Sequence, residues 1–291
     1  MTLSTLVNTL ARGYGLIEGP LWLPDEGLLF SDVAHGGVFR LAADGAVECV
    51  VEHRRGIGGL AWHVAGGLIV SGRNIAFKPL RGGATVPLLE REAVPGAVGF
   101  NDLTTDVAGR IYVGSLAGSP FETASTANTG DLWCLDLDGS ARIVGQDIDL
   151  TNGLGFSPDG RTLYHSDSRR HVVWQYPVLA NGDLGEKRAF ATTSRGLPDG
   201  LAVAVDGSVW LALADGGHGV AVFGADGRER SFIEIPEPMC TSVCFGGVDL
   251  KDLYIVSGSD DTGSDRGGAV HCLRVEVAGV PVPPARVRLP A

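Results

Sequence analysis

One pattern of residues recurs six times along the chain, and it limits the fold more than any other feature. Each copy is a short apolar strand, a Gly-containing hairpin about eight or nine residues on, and a second apolar strand. The copies begin at Glu18 (EGPLWLPDEGLLFSD), Gly58 (GGLAWHVAGGLIVSG), Asn101 (NDLTTDVAGRIYVGS), Asn152 (NGLGFSPDGRTLYHSD), Asp199 (DGLAVAVDGSVWLAL) and Thr241 (TSVCFGGVDLKDLYIVSG). Their starts lie 40, 43, 51, 47 and 42 residues apart, which is the span of a four-stranded propeller blade. The repeat therefore predicts an all-β protein, a six-bladed β-propeller with four antiparallel strands per blade. Nothing resembling a linker divides the chain, so residues 1–291 are read as a single domain.

The local pattern agrees. Apolar residues come in short bursts between Gly, Asp, Asn and Pro, too short to carry a helical period. From Leu28 to Val50 the chain reads strand, turn, strand, turn, strand, with Asp44-Gly45 as a tight hairpin. Glycine makes up 43 of 291 residues, about twice the usual roughly 7%, without the period of collagen, which places the excess in turns. The long third interval contains a polar insertion, Ser115 to Trp133, expected to be a loop on one face that covers the site. Ring closure needs a strand from one terminus to complete a blade begun at the other. The expected partner for the segment ending near Val277 is Leu3 to Leu10.

In a propeller the innermost strand of every blade lines the central channel, so equivalent positions point at one axis. The repeated first position reads Glu18, Gly58, Asn101, Asn152, Asp199 and Thr241. Four of these are oxygen donors suited to calcium, magnesium or manganese rather than to a thiolate-preferring metal. Asn-Gly and Asp-Gly are also ordinary turn dipeptides, but turn residues would scatter along the repeats rather than share one register.

Charge and cysteine usage restrict the partners. With 34 acidic against 23 basic residues and a net charge of −11, neither nucleic acid nor an anionic membrane surface is expected as the main partner. Five scattered cysteines, an odd number, fit a reducing compartment better than a disulfide framework. The N-terminus has no basic start followed by a long apolar stretch, and no run approaches a membrane span; a soluble cytoplasmic protein is expected. Oligomeric state is not legible.

The chain resembles the SMP-30/gluconolactonase/LRE family of six-bladed propeller lactonases along nearly its whole length. The resemblance rests on Glu18-Gly19-Pro20, Asn101-Asp102, Thr151-Asn152-Gly153 followed by Ser157-Pro158-Asp159-Gly160, and Pro198-Asp199-Gly200. It implies one divalent ion held by Glu18, Asn152 and Asp199, calcium first with magnesium, manganese, zinc or iron as alternatives. It also implies that Asn101 lies beside the ion and helps hold the substrate or a water, and that the substrate is a small sugar lactone or related ester. One departure stands out. Members that hydrolyse sugar lactones often carry an Arg two residues before the Asn of the Asn-Asp pair, where this chain has Gly99. Arg73, in SGRNIAF, is a possible replacement for contact with substrate, or an ordinary surface Arg.

A bound cation would polarise a lactone carbonyl toward attack by water. Asp199 is the expected base; a water activated by the ion, with Asp199 only a ligand, is the competing version. Organophosphate or aryl-ester hydrolysis on the same ion is the alternative substrate range, and a non-catalytic binding platform with a structural ion the alternative class. No Gly-x-Ser-x-Gly elbow or nucleotide-binding loop occurs. Cys240 and Cys244 are read as small buried residues on one face of a blade-six strand rather than as zinc ligands. His165, Asp167, Ser168 and His218 are possible contributors to the pocket mouth.

Overall fold

The computed structural model describes residues 7–52, 54–121, 129–258 and 266–290. Among the described residues twenty-four strands form six four-stranded antiparallel sheets arranged as a six-bladed propeller. The innermost strands of blades one to six are Ile17–Leu23, Leu60–His63, Gly99–Thr105, Thr151–Phe156, Leu197–Val203 and Met239–Gly246. Within blades one to five the strand order follows the sequence. The Asp44-Gly45 hairpin joins Val38–Leu41 to Val47–Val51 as expected.

The apolar bursts have a simple cause. Both faces of each blade are covered by neighbouring blades, so the middle strands are apolar throughout rather than alternating. Gly27–Asp32, Ile111–Leu116 and Val209–Ala214 are buried at every position. The buried apolar residues form six clusters, one between each pair of adjacent blades, including blades six and one.

The ring closes in blade six, where the outermost strand comes from the N-terminus. It spans Asn8–Tyr14 and pairs antiparallel with Gly268–Arg274. Closure by the N-terminus is as expected, but the strand lies further along the chain than Leu3 to Leu10. Only Asn8 to Leu10 are shared, Leu3 to Leu6 lie outside the described residues, and the partner strand ends before Val277. Arg12 and Tyr14, with Gly13 skipped between them, carry the pairing to the end of the partner strand, which the apolar pattern of the first residues did not show.

The C-terminal segment beyond this blade crosses one face of the ring. Val280 N–H donates to Val203 O in blade five, Thr105 of blade three donates to Pro283 O, and Ala285 N–H donates to Trp62 O in blade two. Further on, His63 Nε2 lies 2.9 Å from Val287 O. A strap thus runs from blade five across the channel mouth to blades two and three.

Candidate active site

The inner strands share a local irregularity that creates the site. In blades one, three, four and five, three residues of the inner strand advance against two of its partner. These steps run from Glu18 to Leu21, Phe100 to Leu103, Thr151 to Leu154 and Pro198 to Leu201. Such a bulge adds one unpaired residue and re-aims its side chain. Asn101, Asn152 and Asp199 each occupy the position two before the closing Leu. Glu18 stands three before Leu21, so it is one residue out of register with the other three. Gly19, in the left-handed region at φ 56°, turns the strand there. Asn152-Gly153 and Asp199-Gly200 are therefore strand bulges, not hairpin turns.

Glu18, Gly58, Asn101, Asn152 and Asp199 all line one cavity of about 680 Å³ at the end of the channel away from the strap. Thr241, the sixth repeated residue, does not. Its hydroxyl donates to the backbone carbonyls of Ile17 and Val256, and blade six contributes Met239 to the cavity instead. A second cavity of about 610 Å³, largely apolar, lies on the strap side.

Hydrogen bonds fix the amides. Asn101 Nδ2 donates to Thr151 O at 2.8 Å and to Asn152 Oδ1 at 2.5 Å. Asn152 Nδ2 donates to Ser168 Oγ at 2.8 Å, and that hydroxyl donates to Pro198 O at 2.6 Å. Ser168 thus orients Asn152 so that its oxygen faces Asn101 and the axis, with one lone pair still free for another partner. Gly58 makes room for Asn101: a Cβ there would lie 2.1 Å from Asn101 Oδ1.

The carboxylates are electrostatically frustrated. Burial raises Glu18 well above the usual carboxylate range, and the charges of Asp199 and Asp102 add to it; the Gly19 N–H partly offsets them. Burial likewise raises Asp199, reinforced by Asp102 and opposed by the Gly200 N–H. Asp102 is pushed up to about 7 by burial, against a hydrogen bond from Leu103 N–H. Asp199 Oδ1 is buried and has no hydrogen-bond partner among the described residues. Three mutually repelling carboxyls and an orphaned oxygen are costly as they stand, and a divalent cation would relieve both problems. The residues therefore fit such an ion. Among the described residues no group of three His, Cys, Asp or Glu makes a metal site by itself, so the amide oxygen of Asn152 would be needed to complete the donor set.

Asp102 was missed as a contributor to this electrostatic group. In a regular strand the residue after Asn101 would point away from its neighbour's face. Its carboxyl lines the strap-side cavity, yet its charge reaches both Glu18 and Asp199.

Arg73 lines the cavity, two-thirds exposed, and donates to Glu92. Ser168 reaches the cavity wall. His165 does not: it is fully buried, 2.8 Å from Thr151 Oγ1, with its pKa lowered to about 3 by burial and then by the charge of Lys187. Asp167 is buried and accepts from the N–H groups of Asp149 and Leu150, a structural role; His218 is exposed and outside the wall. Cys240 and Cys244 are free thiols, but they are not on one face. The bulge between Cys240 and Ser242 shifts the alternation, so Cys240 packs between blades five and six and Cys244 between blades six and one. The insertion contributes Leu116, Pro120 and Phe121 to the cavity wall; its residues 122–128 lie outside the described set.

Comparison with known proteins agrees with this architecture. Pentonolactonase XacC of Haloferax volcanii is 33% identical over 310 aligned positions, covering 99% of this chain and 100% of the relative. A 6-deoxy-6-sulfogluconolactonase of Pseudomonas putida is 33% identical, covering 91% of this chain and 93% of the relative. The solved structure of a luciferin-regenerating enzyme superposes with a TM-score of 0.84 at 23% identity, over 96% of this chain and 99% of that one, and shares the fold. Residues 16–259 match the profile of the SMP-30/Gluconolactonase/LRE-like region. The chain belongs to the SMP-30/gluconolactonase/LRE-like family.

Proposed function

We propose that this protein is a divalent-cation-dependent lactonase that opens a small polyhydroxylated lactone by attack of water. The observation that carries this reading is the buried, uncompensated carboxyl group of Asp199 facing Glu18 at the base of a cavity of about 680 Å³. Two relatives named for a pentonolactone and a sulfogluconolactone, each 33% identical, support the substrate class.

Glu18, Asp199 and Asn152 Oδ1 would hold the ion, and their all-oxygen character favours calcium. The ion supplies polarisation of the lactone carbonyl and stabilises charge developing on its oxygen. Asp199 accepts a proton from the attacking water as the new C–O bond forms, and returns it to the ring oxygen as the ring C–O bond breaks. Asn101 has its Nδ2 engaged by Thr151 and Asn152, which leaves Oδ1 as an acceptor that orients a substrate hydroxyl or the water.

The test is a chelator-stripped enzyme assayed on aldonolactones, aliphatic and aryl lactones and a phosphotriester, with one divalent ion restored at a time. Aldonolactone turnover should return with calcium, and Asp199→Asn should lower kcat by about 10³-fold or more, against about 10- to 100-fold for Asn101→Ala. An Asp199→Asn enzyme retaining most of its activity, or no lactone turnover with any ion, would refute the reading.

A further inference from the structure

Charge is distributed unevenly around the mouth of the acidic cavity. Glu18 and Asp199, at its base, are almost wholly buried. Higher up, Arg73 and Arg91 line the wall formed by blade two and its connection to blade three, with side chains 66% and 31% exposed. In a protein of net charge −11, two guanidinium groups on one wall of a cavity oppose the general balance.

These two arginines are held together. Arg91 opens the short turn Arg91–Ala93, and its N–H donates to Asn74 Oδ1 at 3.0 Å, tying that turn to the loop that carries Arg73. Both guanidinium groups donate to the same oxygen, Glu92 Oε1, at 2.5 Å from Arg73 and 3.0 Å from Arg91. Two cations share one carboxylate, so one positive charge is uncompensated within the group. Arg169, also on the cavity wall, is committed instead to Asp149 at 3.5 Å and to Ser119 O at 2.9 Å.

The wall beneath the pair has little side chain. Gly56, Gly58, Gly72 and Gly99 all line the cavity there, leaving a path from the axis to the arginines. Across the ring, blade five presents Asp215, which repels an anion from the opposite side. Gly99 offers no side chain on this wall, so the cationic contact there comes from the outer loops.

We propose that Arg73 and Arg91 are specificity residues selecting a lactone that carries an anionic substituent, a carboxylate or phosphate, remote from the reacting carbonyl. This rests on the lactonase reading above and adds the charge of the substrate to it. The lactone carbonyl sits over the acidic axis, the sugar chain follows the glycine-lined wall, and the anion accepts charge-assisted hydrogen bonds from the two guanidinium groups.

The test uses pairs that differ only at the far carbon: D-glucaro-1,4-lactone against D-glucono-1,4-lactone, and 6-phosphoglucono-1,5-lactone against D-glucono-1,5-lactone. The anionic member of at least one pair should have a kcat/KM about tenfold or more higher, chiefly through KM, and the ratio should shrink as NaCl is raised. In the Arg73→Gln/Arg91→Gln enzyme that ratio should fall toward one; preference for the phosphate or for the carboxylate identifies which anion is taken. A ratio at or below one in both pairs, or a double variant that lowers both members equally, overturns the proposal. If no lactone is turned over, the lactonase reading fails separately, and calorimetry with 6-phosphogluconate against gluconate decides the anion site. About tenfold tighter binding of the phosphate that the double variant abolishes supports it, and equal affinities refute it.

Discussion

Two glycines, one just before the inner strand of blade two and one within that of blade four, do different work. At Gly58 an added Cβ would meet the tip of the Asn101 side chain at 2.1 Å, whereas at Gly153 it would meet the backbone of Leu201 and Asp199 at 2.5 and 2.6 Å. A side-chain tip can move aside; backbone in the next blade cannot. Gly58→Ala is therefore expected to lower Tm only modestly, through the lost Asn101 hydrogen bonds, while it pushes the Asn101 carboxamide off Thr151 and Asn152 and lowers lactone turnover about tenfold or more. Gly153→Ala should cost about 2 kcal/mol or more in stability, because it forces blades four and five apart. Thermal melts beside steady-state kinetics separate the two. Equal effects on Tm would show that Asn101 is not seated as described. The sequence flagged both glycines through the repeat, but only the packing of adjacent blades distinguishes a residue that shapes the site from one that spaces the ring.

At the level of the strand, the closing segment is secured by more than its ladder. Glu237, in the loop before the innermost strand of blade six, lies 2.6 Å from His271 Nε2 and 3.0 Å from Arg12 Nη1. His271 Nδ1 lies 3.1 Å from Thr9 Oγ1, and Arg12 also donates to Thr9. Burial would raise the Glu237 carboxyl, but the hydrogen bond and charge of His271, with Arg12, outweigh it and hold the group below its usual range. A carboxyl depressed on folding stabilises the fold above its unfolded pKa and loses that contribution as pH falls through its folded value. Glu237→Ala should accordingly cost about 2–4 kcal/mol near neutral pH in urea unfolding, and the difference from wild type should narrow in acid. A gap that stays constant down to pH 3 would mean that the loss comes from packing alone. Removal of residues 1–14 should leave Gly268–Arg274 as an open edge prone to pairing with other chains, visible as association by light scattering.

For the whole molecule, the channel has two unlike ends. The strap of residues 280–287 crosses one of them, held to blades five, three and two. The acidic cavity is at the other. Carboxyl groups from blades one, three and five meet near the axis only because the ring closes, so their repulsion is a property of the folded state. A cation that binds there and not to the unfolded chain should raise stability by about 2.7 kcal/mol at a hundred times its Kd. We expect millimolar calcium to raise Tm by several degrees, chelation to reverse this, and Glu18→Gln to need a higher concentration for the same shift. A Tm indifferent to every divalent ion would remove the cation from the site.

The local and the periodic were set by the sequence alone: strand length, turn position, six repeats, and short apolar bursts between turns. These follow from short-range sterics and burial, which each repeat carries within about forty residues. The shared register of Asn101, Asn152 and Asp199 was legible for the same reason. Tertiary structure decided the rest. The one-residue offset of Glu18, the entry of Asp102 into the channel and the separation of Cys240 from Cys244 all depend on bulges, which break the two-residue alternation that a linear reading assumes. The pairing of Arg73 with Arg91 joins loops that share no motif, and the strap brings chain ends across a ring. Proximity of that kind is set by closure of the propeller, a long-range condition that no single repeat contains.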